Sequence, residues 1–278
     1  MADPTEAPAA EYRHLTVTKD GRVVTIEISK PPINLYDLEL LSELNRAAEQ
    51  CAYDASVGAV MLVSATPGFF IAHFDVATIL RFPTNGMPGF EVGRFGRVCE
   101  LFRTMPKLTI AVIEGRVGGG GSELAMSFDV RYAARETAIF NQPEVALGIL
   151  PGGGGTQRLP RLIGRSRAME VILGCEDIDA ETAERWGWVN RTFPASTVRE
   201  RAAALASRVA NFPPHAVAEA KASILRTEAG LADGLIDEAR AFARTLADGR
   251  QPMENFLARG GQTVEGESRL GELATELS

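Results

Sequence analysis

The stretch that decides the fold is Ile110-Ala111-Val112-Ile113-Glu114-Gly115-Arg116-Val117-Gly118-Gly119-Gly120-Gly121-Ser122-Glu123-Leu124-Ala125-Met126. Leu108–Ile113 is a short continuous apolar run, the pattern of a strand buried on both faces of a parallel sheet. It feeds a run of glycines, and Leu124-Ala125-Met126 then continues as a helix. A helix that begins behind glycine presents unpaired N–H groups and the positive end of its dipole. Glycine also lets a ligand touch the backbone itself. Such donors suit a developing oxyanion, an interaction worth about 3–4 kcal/mol per donor in acyl chemistry. The plainer reading is that the glycines only allow tight packing of helix on sheet.

Outward from this run the pattern alternates. Val23–Ile28 alternates apolar and polar residues and reads as a strand, ended by Lys30-Pro31-Pro32. Leu38, Leu41, Leu44 and Ala48 recur at helical spacing, which predicts an amphipathic helix over 36–52. Gly58–Val63 reads as a second buried parallel strand, Phe128–Ala133 as another, and Ala138–Phe140 as one more. Strand–helix–strand alternation to about residue 190 defines an α/β chain. From 196 to about 258 the chain is rich in Ala, Leu, Glu and Arg with helical periodicity, broken at Pro213-Pro214, Gly230 and Gly249. The domain reading is a disordered tail over 1–10, an α/β core over 11–195 and a helical region over 196–278.

Composition removes several classes. The chain has 278 residues, 45% hydrophobic and 23% charged, so it can bury a sizeable core. A net charge of −7 without a dense basic cluster argues against a nucleic-acid partner. Cys51, Cys99 and Cys175 fit neither a disulfide framework nor a zinc site, and His14, His73 and His215 are not at metal-ligand spacing, so no metal is expected. The N-terminus lacks the features of a signal or transit peptide, and no apolar run is long enough to span a membrane. A cytoplasmic protein without a membrane partner is expected.

The glycine turn is not a phosphate loop. Ser122-Glu123 stands where Gly-Lys-Ser/Thr would be needed, and an acidic side chain there repels phosphate. The dinucleotide spacing fails at Glu123, and at Gln157 for the second glycine run from Gly152. Gly-x-Ser-x-Gly is also absent, so Ser122 would act as a nucleophile only if His73 approached it in space. Two glutamates remain. Glu123 closes the first glycine run, and Glu144 closes Asn141-Gln142-Pro143-Glu144. Singly, each reads as a first-turn helix acid or a loop charge. Together, in a closed apolar pocket, they would make an acid/base pair with raised pKa values.

These residues resemble the central motif of the crotonase (enoyl-CoA hydratase/isomerase) superfamily. Phe140 to Glu144, Gly148 to Leu159, Ile163 to Glu170 and Ala180 to Val189 continue the resemblance, and Phe69 to Asp75 is similar to the family's oxyanion loop. It spans roughly 12–258 and is most specific over 108–190. It implies an α/β fold, with a ββα spiral core and a C-terminal helical trimerisation region, in a homotrimer or dimer of trimers. It implies an acyl-CoA thioester as substrate and no separate cofactor. It implies an oxyanion hole from the N–H groups of Phe74 and Gly120, catalysis by Glu123 and Glu144, and substrate contacts from Ala72, His73, Asp75, Gly119, Pro143 and Gly152. The implied reaction is hydration of a trans-2-enoyl-CoA. Isomerisation, decarboxylation, thioester hydrolysis and carbon–carbon cleavage use the same hole. Three departures stand out. His73 replaces a glycine and is followed by a bulky Phe; it reads as a pocket, CoA-side or surface residue. Ala77 stands where a basic residue commonly helps hold the CoA phosphates, leaving that contact to Lys30, Arg81 or another chain. Residues 259–278 lack the usual basic/aromatic ending.

Overall fold

Two sheets are wound together by one repeated turn of chain. The computed structural model describes residues 12–84, 93–246 and 248–277; the tail read over 1–10 lies outside them. An antiparallel hairpin, β1 (Leu15–Asp20) and β2 (Val23–Ile28), leads to α1 (Leu38–Tyr53). The first turn is β3 (Ala59–Ser64), β4 (Phe69–Ile71), α2 (Val76–Ile79) and α3 (Arg94–Thr104). The second is β5 (Leu108–Ile113), β6 (Arg116–Gly118) and α4 (Gly119–Ala125). The third is β7 (Val130–Ala134), β8 (Ile139–Asn141), α5 (Gly155–Ile163) and α6 (Arg165–Gly174). β9 (Ile178–Asp179), α7 (Ala180–Trp186) and β10 (Arg191–Phe193) follow. The remaining helices are α8 (Val198–Ala210), α9 (Pro214–Leu225), α10 (Leu231–Thr245), α11 (Arg250–Ala258), α12 (Val264–Ser268) and α13 (Leu270–Leu273).

Each turn gives its first strand to a six-stranded sheet ordered β1-β2-β3-β5-β7-β10 and its second to a four-stranded sheet ordered β4-β6-β8-β9. The pairings are parallel except β1–β2 and β8–β9. This is the expected ββα spiral. The apolar runs have no alternation because both faces are covered. Val60, Leu62, Ala111 and Ile113 point into the core between the sheets. Their neighbours Met61, Val63, Ile110 and Val112 point the other way, onto Ala202, Ala206 and Ala210 of α8. Small residues let α8 lie close: a Cβ on Gly58 would stand 2.8 Å from the Ala210 backbone.

Helix α1 begins two residues later than the 36–52 reading. Tyr36 bridges to Phe74, and Asp37 caps the helix by accepting from the Leu40 N–H at 3.0 Å. The strand read from Phe128 begins at Val130, because Phe128 still closes a turn onto the Ala125 carbonyl. β1, β4 and β6 carried no usable signal. β1 buries only Leu15, and the other two are three residues long. Residues 260–277 form short helices, with Leu270, Leu273 and Leu277 packed beside Met253 and Phe256. Among the described residues, no helix is long and apolar enough to cross a membrane.

Candidate active site

Three neighbouring parallel strands of the smaller sheet end at one edge, and each delivers a part of the site there. β4 runs into Ala72-His73-Phe74-Asp75, β6 into the N-terminus of α4, and β8 into Gln142-Pro143-Glu144. The glycines of the run divide by position. Gly118 and Gly121 serve packing: a Cβ would lie 2.6 Å from the Ala72 carbonyl oxygen and 2.4 Å from that of Ile71. Gly120 faces the site, and Gly119 stands behind the Glu144 carboxyl. Gly119 has φ +43°, and a Cβ on it would stand 2.6 Å from Oε1 of Glu144. A Cβ on Gly120 would stand 3.4 Å from the Phe74 nitrogen. Among the described residues, no side chain and no turn or loop carbonyl accepts from the Phe74 or Gly120 N–H.

These segments open on a cavity of about 710 Å³. Of the residues expected at the site, His73, Phe74, Gly120, Glu123, Pro143, Glu144 and Gly152 line it. Ala72, Asp75 and Gly119 stand one layer behind. Ala72 packs with Ile33 and Phe69, and Asp75 caps α2 through the Ala77 and Thr78 N–H groups at 3.2 and 3.1 Å. Gly119 backs the Glu144 carboxyl. Much of the remaining wall is apolar, including Val76, Ile79, Leu147, Ile149 and Phe242.

The carboxylates sit in unequal surroundings. Glu123 is 3% exposed, and its Oε1 accepts from the N–H groups of Gly153 and Gly155, each at 2.7 Å. Burial lifts its pKa, while these two amides and Arg158 pull it back. Glu144 is 7% exposed, and Gln142 Nε2 donates to its Oε2 at a long 3.4 Å. Burial first, then the charges of Glu123 and Glu238, push it well above the usual carboxylate range. Of the two, Glu123 gives up its proton first, so one state pairs a carboxylate with a carboxylic acid.

Glu238, on α10, was not singled out in the sequence. It lines the same cavity and is 3% exposed. It accepts from the Gly154 N–H at 2.5 Å and from the Thr156 N–H at 2.8 Å, and its other contact is the Thr156 hydroxyl. Alternate amides of 153–156, where the chain enters α5, thus go to Glu123 and to Glu238. Burial, then the charge of Glu123, raises Glu238 to about 8. No local pattern marks it, since its helix carries other acids of the same kind, such as Asp233 and Asp237.

His73 is not a surface residue: it is 3% exposed and stands 2.7 Å from Oε1 of the buried Glu267. Its other ring nitrogen meets the Phe74 carbonyl at 2.8 Å, so it does not serve Ser122, whose buried hydroxyl has no partner among the described residues. Lys30 pairs with Asp37, and Arg81 donates to the Thr78 hydroxyl at 2.8 Å.

Residues 18–261 match the enoyl-CoA hydratase/isomerase family, and the chain belongs to it. The probable enoyl-CoA hydratase echA8 of Mycobacterium leprae is 36% identical over 251 residues, covering 88% of this chain and 95% of that protein. The short-chain-enoyl-CoA hydratase of Clostridium acetobutylicum is 32% identical, covering 92% and 98%. The crystal structure of a presumed enoyl-CoA hydratase from Streptomyces avermitilis superposes with a TM-score of 0.88 at 35% identity, covering 96% and 99%. The fold is the crotonase fold.

Proposed function

We propose that this protein hydrates trans-2-enoyl-CoA thioesters to 3-hydroxyacyl-CoA. The observation that carries the reading is the pair of buried, unequal carboxyls, Glu123 and Glu144, facing one apolar cavity beside the N–H groups of Phe74 and Gly120. Ionised Glu123 takes a proton from water as the water oxygen bonds to the β-carbon. The π electrons move toward the thioester oxygen, and the two N–H groups stabilise the enolate charge there. Glu144, holding its proton, delivers it to the α-carbon. The reaction needs no metal, covalent intermediate or separate cofactor; the acyl-CoA is the substrate. The relatives named as enoyl-CoA hydratases support the same activity.

Crotonyl-CoA and a longer trans-2-enoyl-CoA, followed by loss of the conjugated thioester absorbance, test this. Wild type consumes the chromophore; Glu123→Gln and Glu144→Gln each lower kcat by about 10²–10⁴-fold. Inactive but folded wild type that binds CoA thioesters would sink hydration of those acyl groups. Double-bond isomerisation that survives Glu123→Gln would turn the assignment to an isomerase.

The unit we propose is a homotrimer or a dimer of trimers. α9 has no buried residue in the single chain, and Ile224 on it is 68% exposed, as expected of a helix covered by a neighbour. The free, buried Cys51, Cys99 and Cys175 support a reducing, cytoplasmic setting.

A further inference from the structure

Two of the sequence's departures from the family pattern, the histidine in the oxyanion loop and the altered C-terminal segment, meet in space. The loop from His73 to Val76 is held on one flank by Tyr36, whose N–H donates to the His73 carbonyl and whose carbonyl accepts from the Asp75 N–H, each at 3.0 Å. Between those anchors lies the Phe74 N–H. The other flank belongs to the segment after α11. Glu267 Oε1 stands 2.7 Å from His73 Nε2, and the ring of Phe256 meets the imidazole edge-on at 5.6 Å. Gln262 accepts from the Val76 N–H at 2.7 Å and donates to Asp75 Oδ1 at 2.9 Å.

The hydrogen positions follow from the partners. A carbonyl can only accept, so His73 Nδ1 donates to the Phe74 carbonyl at 2.8 Å, fixing the peptide that follows Phe74. Nε2 then either donates to a Glu267 carboxylate or accepts from its acid form, and either way the contact persists. Glu267 is fully buried, and among the described residues His73 is its side chain's hydrogen-bond partner. A buried carboxyl is costly without such a partner. The glycine usual at this position would have no side chain with which to reach it.

We propose that Glu267 and Gln262 are positioning residues, which through His73, Asp75 and Val76 hold the Phe74 N–H at the angle the thioester oxygen requires. The proposal rests on the enoyl-thioester reading of the site. It is tested with butanoyl-CoA, which is saturated and unreactive, labelled at the carbonyl carbon and bound to the full chain. Isotope-edited infrared spectra read how strongly the N–H groups polarise its C=O bond. Bound to wild type, the stretch lies below its value in solution. In Glu267→Ala and Gln262→Ala it returns toward that value, and kcat for crotonyl-CoA falls about 10–100-fold, with KM changed less than about twofold. Glu267→Gln, which can still bond Nε2, keeps the wild-type stretch. Gln262 is only partly buried, so its variant tests the idea even if Glu267→Ala fails to fold. An unchanged stretch and kcat in folded Gln262→Ala or Glu267→Ala would overturn the positioning role. If wild type lowers the stretch but hydrates neither crotonyl-CoA nor a longer trans-2-enoyl-CoA, the hydratase reading falls for those acyl groups, and the stretch in the variants still decides the positioning role.

Discussion

Glu123 and Glu144 differ less in burial than in partners. Burial raises both, but two amides draw Glu123 back toward its ionised form, while at Glu144 the charge of Glu123, and less so that of Glu238, adds to the burial. The sign of the pH dependence follows. As pH rises, Glu123 loses its proton first and kcat/KM for hydration climbs; at higher pH Glu144 loses its own and activity falls. The profile is bell-shaped, and its two limbs belong to the coupled pair. Residual activity in Glu144→Gln keeps the rising limb and loses the falling one. A profile with a single limb in wild type would contradict this division of roles. At this scale both glutamates were legible because each closes an unusual backbone motif. Glu238 and Glu267 were not: their importance lies in what they meet across the fold, 84 residues from Gly154 and 194 residues from His73.

Among elements, α4 carries the heaviest constraint. All seven of its residues are buried, and it supplies both the Gly120 N–H and Glu123. Gly121 holds it against β4, where an added Cβ would stand 2.7 Å from the Cβ of Ile71. Gly121→Ala should therefore wedge the helix away from the sheet at a cost of about 1–3 kcal/mol. The melting temperature drops by about 2–4 °C per kcal/mol in a chain of this size. Hydration slows as well, because the helix takes the proposed Gly120 donor and Glu123 with it. A variant that melts and turns over like wild type would show that β4 yields instead. Long apolar strands such as β3 and β5 could be read directly, since a run of such residues has few other uses. β4 and β6 are too short for periodicity to register, and parallel pairing defines them.

For the whole molecule, the alternation of apolar strands and helices was enough to give the class, and the glycine and glutamate motifs gave the family. The packing of the last residues was not readable. α12 and α13 are five and four residues long, too short for intrinsic helix stability, and they are held by Leu270, Leu273 and Leu277. The outer face of α9 leads to a prediction about assembly. Ile224→Asp puts a charge on a face proposed to be covered by a neighbour, and sedimentation should show a smaller species than wild type. No change in mass would place the interface elsewhere.

The route of the chain through the site has a consequence for synthesis. Residues 153–156, at the start of α5, give alternate amides to Glu123, already made, and to Glu238, made far later. The oxyanion loop waits longer still, for Gln262 and Glu267. A growing chain thus carries both glutamates by residue 144, yet the contacts proposed to hold the site in shape form only once Glu267 has been made.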